Sequence, residues 1–266
     1  MYKLSLIALI IVYTTSQVYS ALIINAPLPI THQVNVQPIV VSTSDGSETA
    51  TFLGTPDQQD IIEGYIDQIW AQAGVDVNFL TTSTYSDDFI YDGSPFDYSN
   101  GSGNKRPGTD LAAMFDNYPA ALNNDATVLN MFFVDIVPQF EYTSLNTTNG
   151  LAWLDSNGVA VFVGENLLSF QAGQEAVATL IAHEIGHNLG LDHEAEAFNL
   201  MQAGGSPNPG AILSADQVQT IFIDDTGIDG FDLLQPYTPF TPIPEPTTGS
   251  ILSLGLVGMI IRRSRA

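Results

Sequence analysis

The chain has 266 residues, 29 acidic against 6 basic side chains for a net charge of −23, and no cysteine. That balance excludes nucleic acid as a natural partner, because phosphate contacts need clustered Lys and Arg. Without disulfides the fold must rest on its core alone, and about 200 residues suffice for one domain to do so. At the N-terminus, Lys3 precedes the mostly apolar run from Leu4 to Val12. Val18 and Ser20 then precede Ala21. A single charge, an apolar stretch and small residues before the cut site predict a signal peptide over 1–20, with signal peptidase as a processing partner.

Residues 21–50 form an N-terminal segment, and 51–235 carry the predicted main folded domain. Thr55-Pro56-Asp57-Gln58 reads as an N-cap with Pro at the first helical position and a capping-box Gln. The apolar stripe Ile61, Ile62, Tyr65, Ile66, Ile69, Trp70 and Ala73 predicts a helix ending at Gly74. Val75 to Leu80 alternates as a strand. Ser83 to Gly108 is polar and rich in Gly, Ser and Asn, which predicts a long surface loop. Val128 to Val137 is apolar enough for a buried strand. The runs Gly150 to Leu154 and Val159 to Val163 flank Asp155-Ser156-Asn157-Gly158, where Asn-Gly signals a hairpin. A helix is expected from about Gln174 to Asn188, burying Val177, Leu180 and Ile181. Ser214-Ala215-Asp216-Gln217 opens a last helix through about Ile223 with a second capping box.

Three of the four histidines fall within eleven residues, His183-Glu184-Ile185-Gly186-His187-Asn188-Leu189-Gly190-Leu191-Asp192-His193. On a helix, His183 and His187 project from one face, close enough to grip one ion. Glu184 lies about 100° round the helix, so its carboxylate overhangs the ion without binding it. Gly190 can take positive φ, ending the helix and returning His193 as third ligand. Three ligands leave a tetrahedral position open for water, as in a catalytic zinc site. His32 stands far away in sequence and reads as an ordinary surface histidine rather than a cap on the zinc.

The pattern HExxHxxGxxH is the signature of the metzincin zinc endopeptidases, which this segment resembles. The resemblance implies a methionine turn beneath the metal, for which Met201 in Asn199-Leu200-Met201 is the candidate. Some metzincins place a Tyr two residues past that Met, but here the position is Ala203. The lack of cysteine also excludes the cysteine-based latency of some members. By its place before the zinc helix, the hairpin resembles the metzincin edge strand, so Gly150, Leu151 and Ala152 are candidates to pair with an extended substrate backbone. The implied fold is α/β (α+β), a metzincin-like twisted mixed sheet with an antiparallel edge strand, a zinc-binding helix, a Met-turn and a C-terminal helix. The implied reaction is peptide hydrolysis by a zinc-bound water with Glu184 as general base, on a protein or peptide substrate.

Asp224, Asp225, Asp229 and Asp232 lie in a Gly-punctuated stretch and are candidate calcium ligands. They do not match an EF-hand loop, and a solvated acidic turn accounts for them better. Residues 236–249 form a Pro-rich linker containing Pro244-Glu245-Pro246. Residues 250–266 hold the apolar run Ile251 to Ile261 and then Arg262, Arg263 and Arg265. This order resembles the PEP-CTERM sorting signal of Gram-negative bacteria. It implies an exosortase-type sorting enzyme as partner, transient anchoring of the C-terminal helix in the inner membrane, and a final place at the cell surface or outside. The apolar run is shorter than the roughly 20 residues of a comfortable span. With these basic residues and Lys3 set aside, only Lys105 and Arg106 face all but one of the 29 acids. Two other classes of function compete with an exported endopeptidase. One is a zinc hydrolase acting on a non-peptide substrate; the other is a non-catalytic surface or matrix protein on the same fold.

Overall fold

The computed structural model describes residues 22–86, 120–134, 150–152, 154–162, 171–203, 210–223 and 232–239. In chain order these form β1 (His32–Ser42), α1 (Pro56–Trp70), a short 3-10 turn (Ala71–Ala73), β2 (Val75–Phe79), β3 (Ser83–Ser86), β4 (Val128–Val134), β5 (Gly150–Ala152), β6 (Val159–Phe162), α2 (Gln171–Asn188), α3 (Ala215–Ile223) and β7 (Leu234–Pro236). The strands make one mixed sheet in the order β2-β1-β4-β6-β5, with β3 and β7 also paired to β1. β1 runs parallel to β2, β3 and β4, and β4 runs parallel to β6. β5 turns back antiparallel on β6 at the edge, with Gly150 opposite Val161 and Ala152 opposite Val159. The mostly parallel α/β sheet with an antiparallel edge strand agrees with the expected fold class.

Local signals explain several elements. The Thr55 side chain accepts from the Gln58 N–H while the Gln58 side chain accepts from the Thr55 N–H, closing the capping box of α1. Gly74 ends the following turn at φ 71°, a left-handed conformation that a side chain would strain. α3 opens the same way, with Ser214 Oγ accepting from Gln217 N–H and Gln217 Oε1 from Ser214 N–H. All seven residues of β4 are buried because both faces of the sheet are covered. Leu129, Met131 and Phe133 join the large core formed with α1 and α2, including Ile62, Ile66, Ile181 and Ile185. Phe132 and Val134 face the opposite cluster with Ile39, Val41 and Tyr85.

Three strands differ from the sequence reading. β3 occupies the start of the stretch expected to be loop from Ser83, pairing with Ile39 to Ser42. β7 closes on His32 to Val34. β1, within the segment assigned no element, is the strand to which four others pair. His32 begins it, hydrogen-bonded to the Thr31 hydroxyl at 2.9 Å and with its ring against Phe222, and it is not part of the three-histidine cluster.

The signal peptide, most of the loop up to Gly108, Asp224, Asp225, Asp229, the linker beyond residue 239 and the C-terminal sorting segment lie outside the described residues. No described helix is long and apolar enough to cross a membrane.

Candidate metal centre

The site is built on α2. Val177, Ala178, Ile181, Ala182, Ile185 and Leu189 recur at helical spacing and are buried, which fixes the rotation of the helix against the core. The half-buried His183 and His187 therefore share the neighbouring face. The helix ends in a Schellman motif: Leu191 N–H donates to the Gly186 carbonyl at 2.9 Å and Gly190 N–H to the His187 carbonyl at 3.0 Å. Gly190 sits at φ 83°, as the sequence requires for the chain to turn back. That turn delivers the exposed His193 onto the two helical rings.

The ligand atoms of His183, His187 and His193 lie within 4.8 Å of one another, the one such His, Cys or carboxylate group among the described residues. His193 Nε2 is 3.3 Å from His183 Nε2 and 3.1 Å from His187 Nε2. Two nitrogens bound about 2.05 Å from a tetrahedral zinc would stand about 3.3 Å apart. The other ring nitrogens decide the tautomers. His183 Nδ1–H donates to the Leu200 carbonyl and His187 Nδ1–H to the Leu191 carbonyl, each at 2.7 Å. A carbonyl only accepts, so Nδ1 carries the proton and Nε2 of both rings turns a bare lone pair inward. Burial, ahead of the neighbouring imidazoles, lowers the His183 pKa to about 4, and burial lowers His187 as well. Both rings are neutral at pH 7, as metal ligands must be. Converging lone pairs repel unless a cation stands between them, so the donor set fits a zinc ion.

Glu184 is 5% exposed, and burial pushes its carboxyl up to about 8. Its side chain lies against Gly150 at the start of β5. The structure thus brings one of the three edge-strand candidates to the Glu184 carboxyl. Leu151 pairs with Ala160, and Ala152 is half-buried beside the core.

Met201 is fully buried under the helix. A Cβ built on Gly186 would meet its Sδ at 2.5 Å and its Cε at 3.2 Å, so the thioether occupies the space that this glycine leaves on α2. The turn holding it is fixed by polar contacts that the sequence did not signal. Asn199 Oδ1 accepts from Met201 N–H at 2.7 Å, and the Asn199 and Gln217 amides exchange two bonds of 2.9 and 3.0 Å. Glu194 N–H donates to the Met201 carbonyl at 2.8 Å, tying the turn back to the residue after His193.

The hairpin loop docks on the end of α2. Asp155, at φ 53°, donates its N–H to the His187 carbonyl at 2.9 Å, and Asn188 Nδ2 donates to the carbonyls of Ser156 at 2.7 Å and Gly158 at 3.1 Å. Sequence reading found the hairpin but not this clamp, since Asn188 gives no signal for a partner 30 residues away. Of the four candidate calcium ligands, Asp232 alone is described. It stands exposed, and no three carboxylates among the described residues bring their oxygens together as an ion site.

Residues 94–194 match metallopeptidase family M12B, Reprolysin-like. That span includes all three histidines and Glu184. Among solved structures, the chain is similar to archaemetzincin from Methanopyrus kandleri, at 16% identity over 72% of this chain and 95% of that one, with a TM-score of 0.44. It is also similar to archaemetzincin from Archaeoglobus fulgidus, at 17% identity over 71% and 99%, TM-score 0.39. Metalloproteinase-II from Bacteroides fragilis is 14% identical over 74% and 57%, TM-score 0.41. No curated protein matches the chain.

Proposed function

We propose that this chain is an exported zinc endopeptidase in which His183, His187 and His193 hold the metal and Glu184 is the general base. The observation that carries the reading is the convergence of three imidazole nitrogens, two with tautomers fixed by carbonyl acceptors, one helical residue away from a buried carboxyl. Zinc bound there supplies Lewis acidity toward a peptide carbonyl and toward water. Glu184 takes the proton from the attacking water and delivers it to the leaving amine. Its dry surroundings raise its proton affinity, while the charge of a zinc ion held by the three imidazoles would favour the ionised form it needs to begin. Met201 keeps the floor beneath the rings apolar. β5 pairs with β6 along one edge, and the opposite edge of Gly150, Leu151 and Ala152 suits an extended peptide backbone.

The address rests on the ends of the chain. The signal-peptide pattern and the Pro-Glu-Pro, apolar and arginine order support export from a Gram-negative cell, transient inner-membrane anchoring and sorting to the surface. Zinc would then be used outside the cytoplasm.

The test is hydrolysis of a mixed peptide library by the zinc-loaded chain. Cleavage is expected, a chelator should abolish it, and Glu184→Ala should reduce it by about 10²–10⁴-fold while keeping one zinc per chain. Undiminished cleavage by Glu184→Ala refutes the role of that residue. No cleavage of any peptide by the parent chain overturns the endopeptidase reading.

A further inference from the structure

Gly150 has no backbone reason to be glycine. It lies in an extended strand opposite Val161, and its φ is outside the left-handed region that favours glycine. The reason lies across from it. A Cβ built there would collide with Glu184 Oε1, and would stand 2.7 Å from Glu184 Cδ and 2.8 Å from Cγ, the three nearest atoms all belonging to that one side chain. Nor can β5 back away to make room. The loop that follows it is bound to the end of the same helix, through Asp155 N–H on the His187 carbonyl and Asn188 Nδ2 on Ser156 and Gly158. Asn157 ties that loop to β4 as well, donating to the Val128 carbonyl at 2.6 Å and accepting from Asn130 N–H at 2.8 Å. Strand and helix are held at a fixed spacing, and the Glu184 side chain fills it.

We propose that Gly150 is a positioning residue: the missing side chain is the slot that sets where the Glu184 carboxyl stands. The proposal rests on the reading of Glu184 as general base. It separates Gly150 from its two strand neighbours, which would serve substrate through their backbone alone.

Two measurements test it. In Gly150→Ala the added methyl forces the carboxyl out of place, so kcat should fall about 10²-fold or more, as for a group misplaced by an ångström, with KM changed less than about threefold and zinc content unchanged. Independently of activity, Gly150→Ala should lower Tm by about 4 °C in the parent chain but by less than about 1 °C in Glu184→Ala, where truncation leaves room for the methyl. A Gly150→Ala chain that folds only when Glu184→Ala accompanies it supports the proposal too. An unchanged kcat overturns it. So does a rise in KM alone, which would assign Gly150 to substrate pairing, or an equal Tm loss in both backgrounds, which would place the steric demand elsewhere. If the zinc-loaded parent cleaves no peptide, the endopeptidase reading falls, and the thermal comparison alone decides whether the slot exists.

Discussion

The candidate metal centre has a helical half and a loop half, and they are held by different means. His183 and His187 ride on a helix whose apolar face is locked into the core, and each ring is pinned by a short bond to a carbonyl. His193 is exposed and reaches the site through a left-handed glycine and the tie between Glu194 and Met201. Two of the imidazoles are thus set by packing that exists for the sake of the fold, and the third by a turn that returns the chain to them. Preorganisation is unequal, so the cost of ordering the site falls mostly on the loop.

The largest effect expected from this inequality is between the two ends of the cluster. His187→Ala should lose zinc on dialysis and bring hydrolysis to background. His193→Ala keeps the preset helical pair and should retain zinc at reduced affinity, visible by titration with a chromophoric chelator. If His193→Ala loses the ion as completely as His187→Ala, the two halves are equivalent and the comparison fails.

A smaller effect comes from the turn itself. Gly190→Ala places a Cβ on a residue at φ 83°, a conformation that costs other L-residues about 1–2 kcal/mol. Tm should fall by about 2–8 °C, and zinc affinity should fall with it because His193 no longer returns to the helical pair. Helix content by circular dichroism should stay unchanged, since the strain lies beyond the last turn of α2. Equal Tm and equal affinity in the variant would show that the loop half does not depend on this residue.

The two halves also differed in how far they could be read from sequence. His183, Glu184, His187, Gly190 and His193 carry their geometry in their spacing, because helix periodicity and one left-handed glycine are local rules. The capping boxes at Thr55 and Ser214 and the Asn157-Gly158 hairpin were legible for the same reason. The contacts that hold the Met201 turn and the hairpin were not. Asn199 meets Gln217 and Asn188 meets Ser156 only after the chain has folded, and no residue beside them announces the partner. β1 escaped for a different cause. Pro38 in its middle argues against a central strand. Yet β2 pairs with His32 to Val36 and β3 with Ile39 to Ser42, so Pro38 falls in the gap between them. Its carbonyl there accepts from the Gln37 amide and the Ser83 hydroxyl, and the missing N–H leaves no ladder bond unmade on that side.

The smallest effect tests whether the helical half owes its stiffness to local pins or to the stability of the whole scaffold. α2 shares its core with α1, which carries the half-buried Asp67. Burial, followed by the charge of Asp76, raises the Asp67 carboxyl to about 6 from its ordinary 3.8. Because the folded pKa lies above the unfolded one, the stabilising contribution is complete below about pH 4 and is lost as pH rises through 6. At pH 7 the ionised carboxylate therefore weakens the fold. The full shift would be worth about 3 kcal/mol at 1.36 kcal/mol per unit, but the group is open enough to water that about 1 kcal/mol is a fairer figure. Asp67→Asn keeps an acceptor for the Val77 N–H and removes the charge. Tm at pH 7 should rise by about 2–4 °C, with no gain at pH 3 where Asp67 is already neutral. Zinc affinity at pH 7 should not move, because the carbonyls of Leu191 and Leu200 hold the rings whatever the margin of global stability. An affinity that climbs together with Tm would mean that the helical half is preset by the scaffold as a whole, and not by those two bonds.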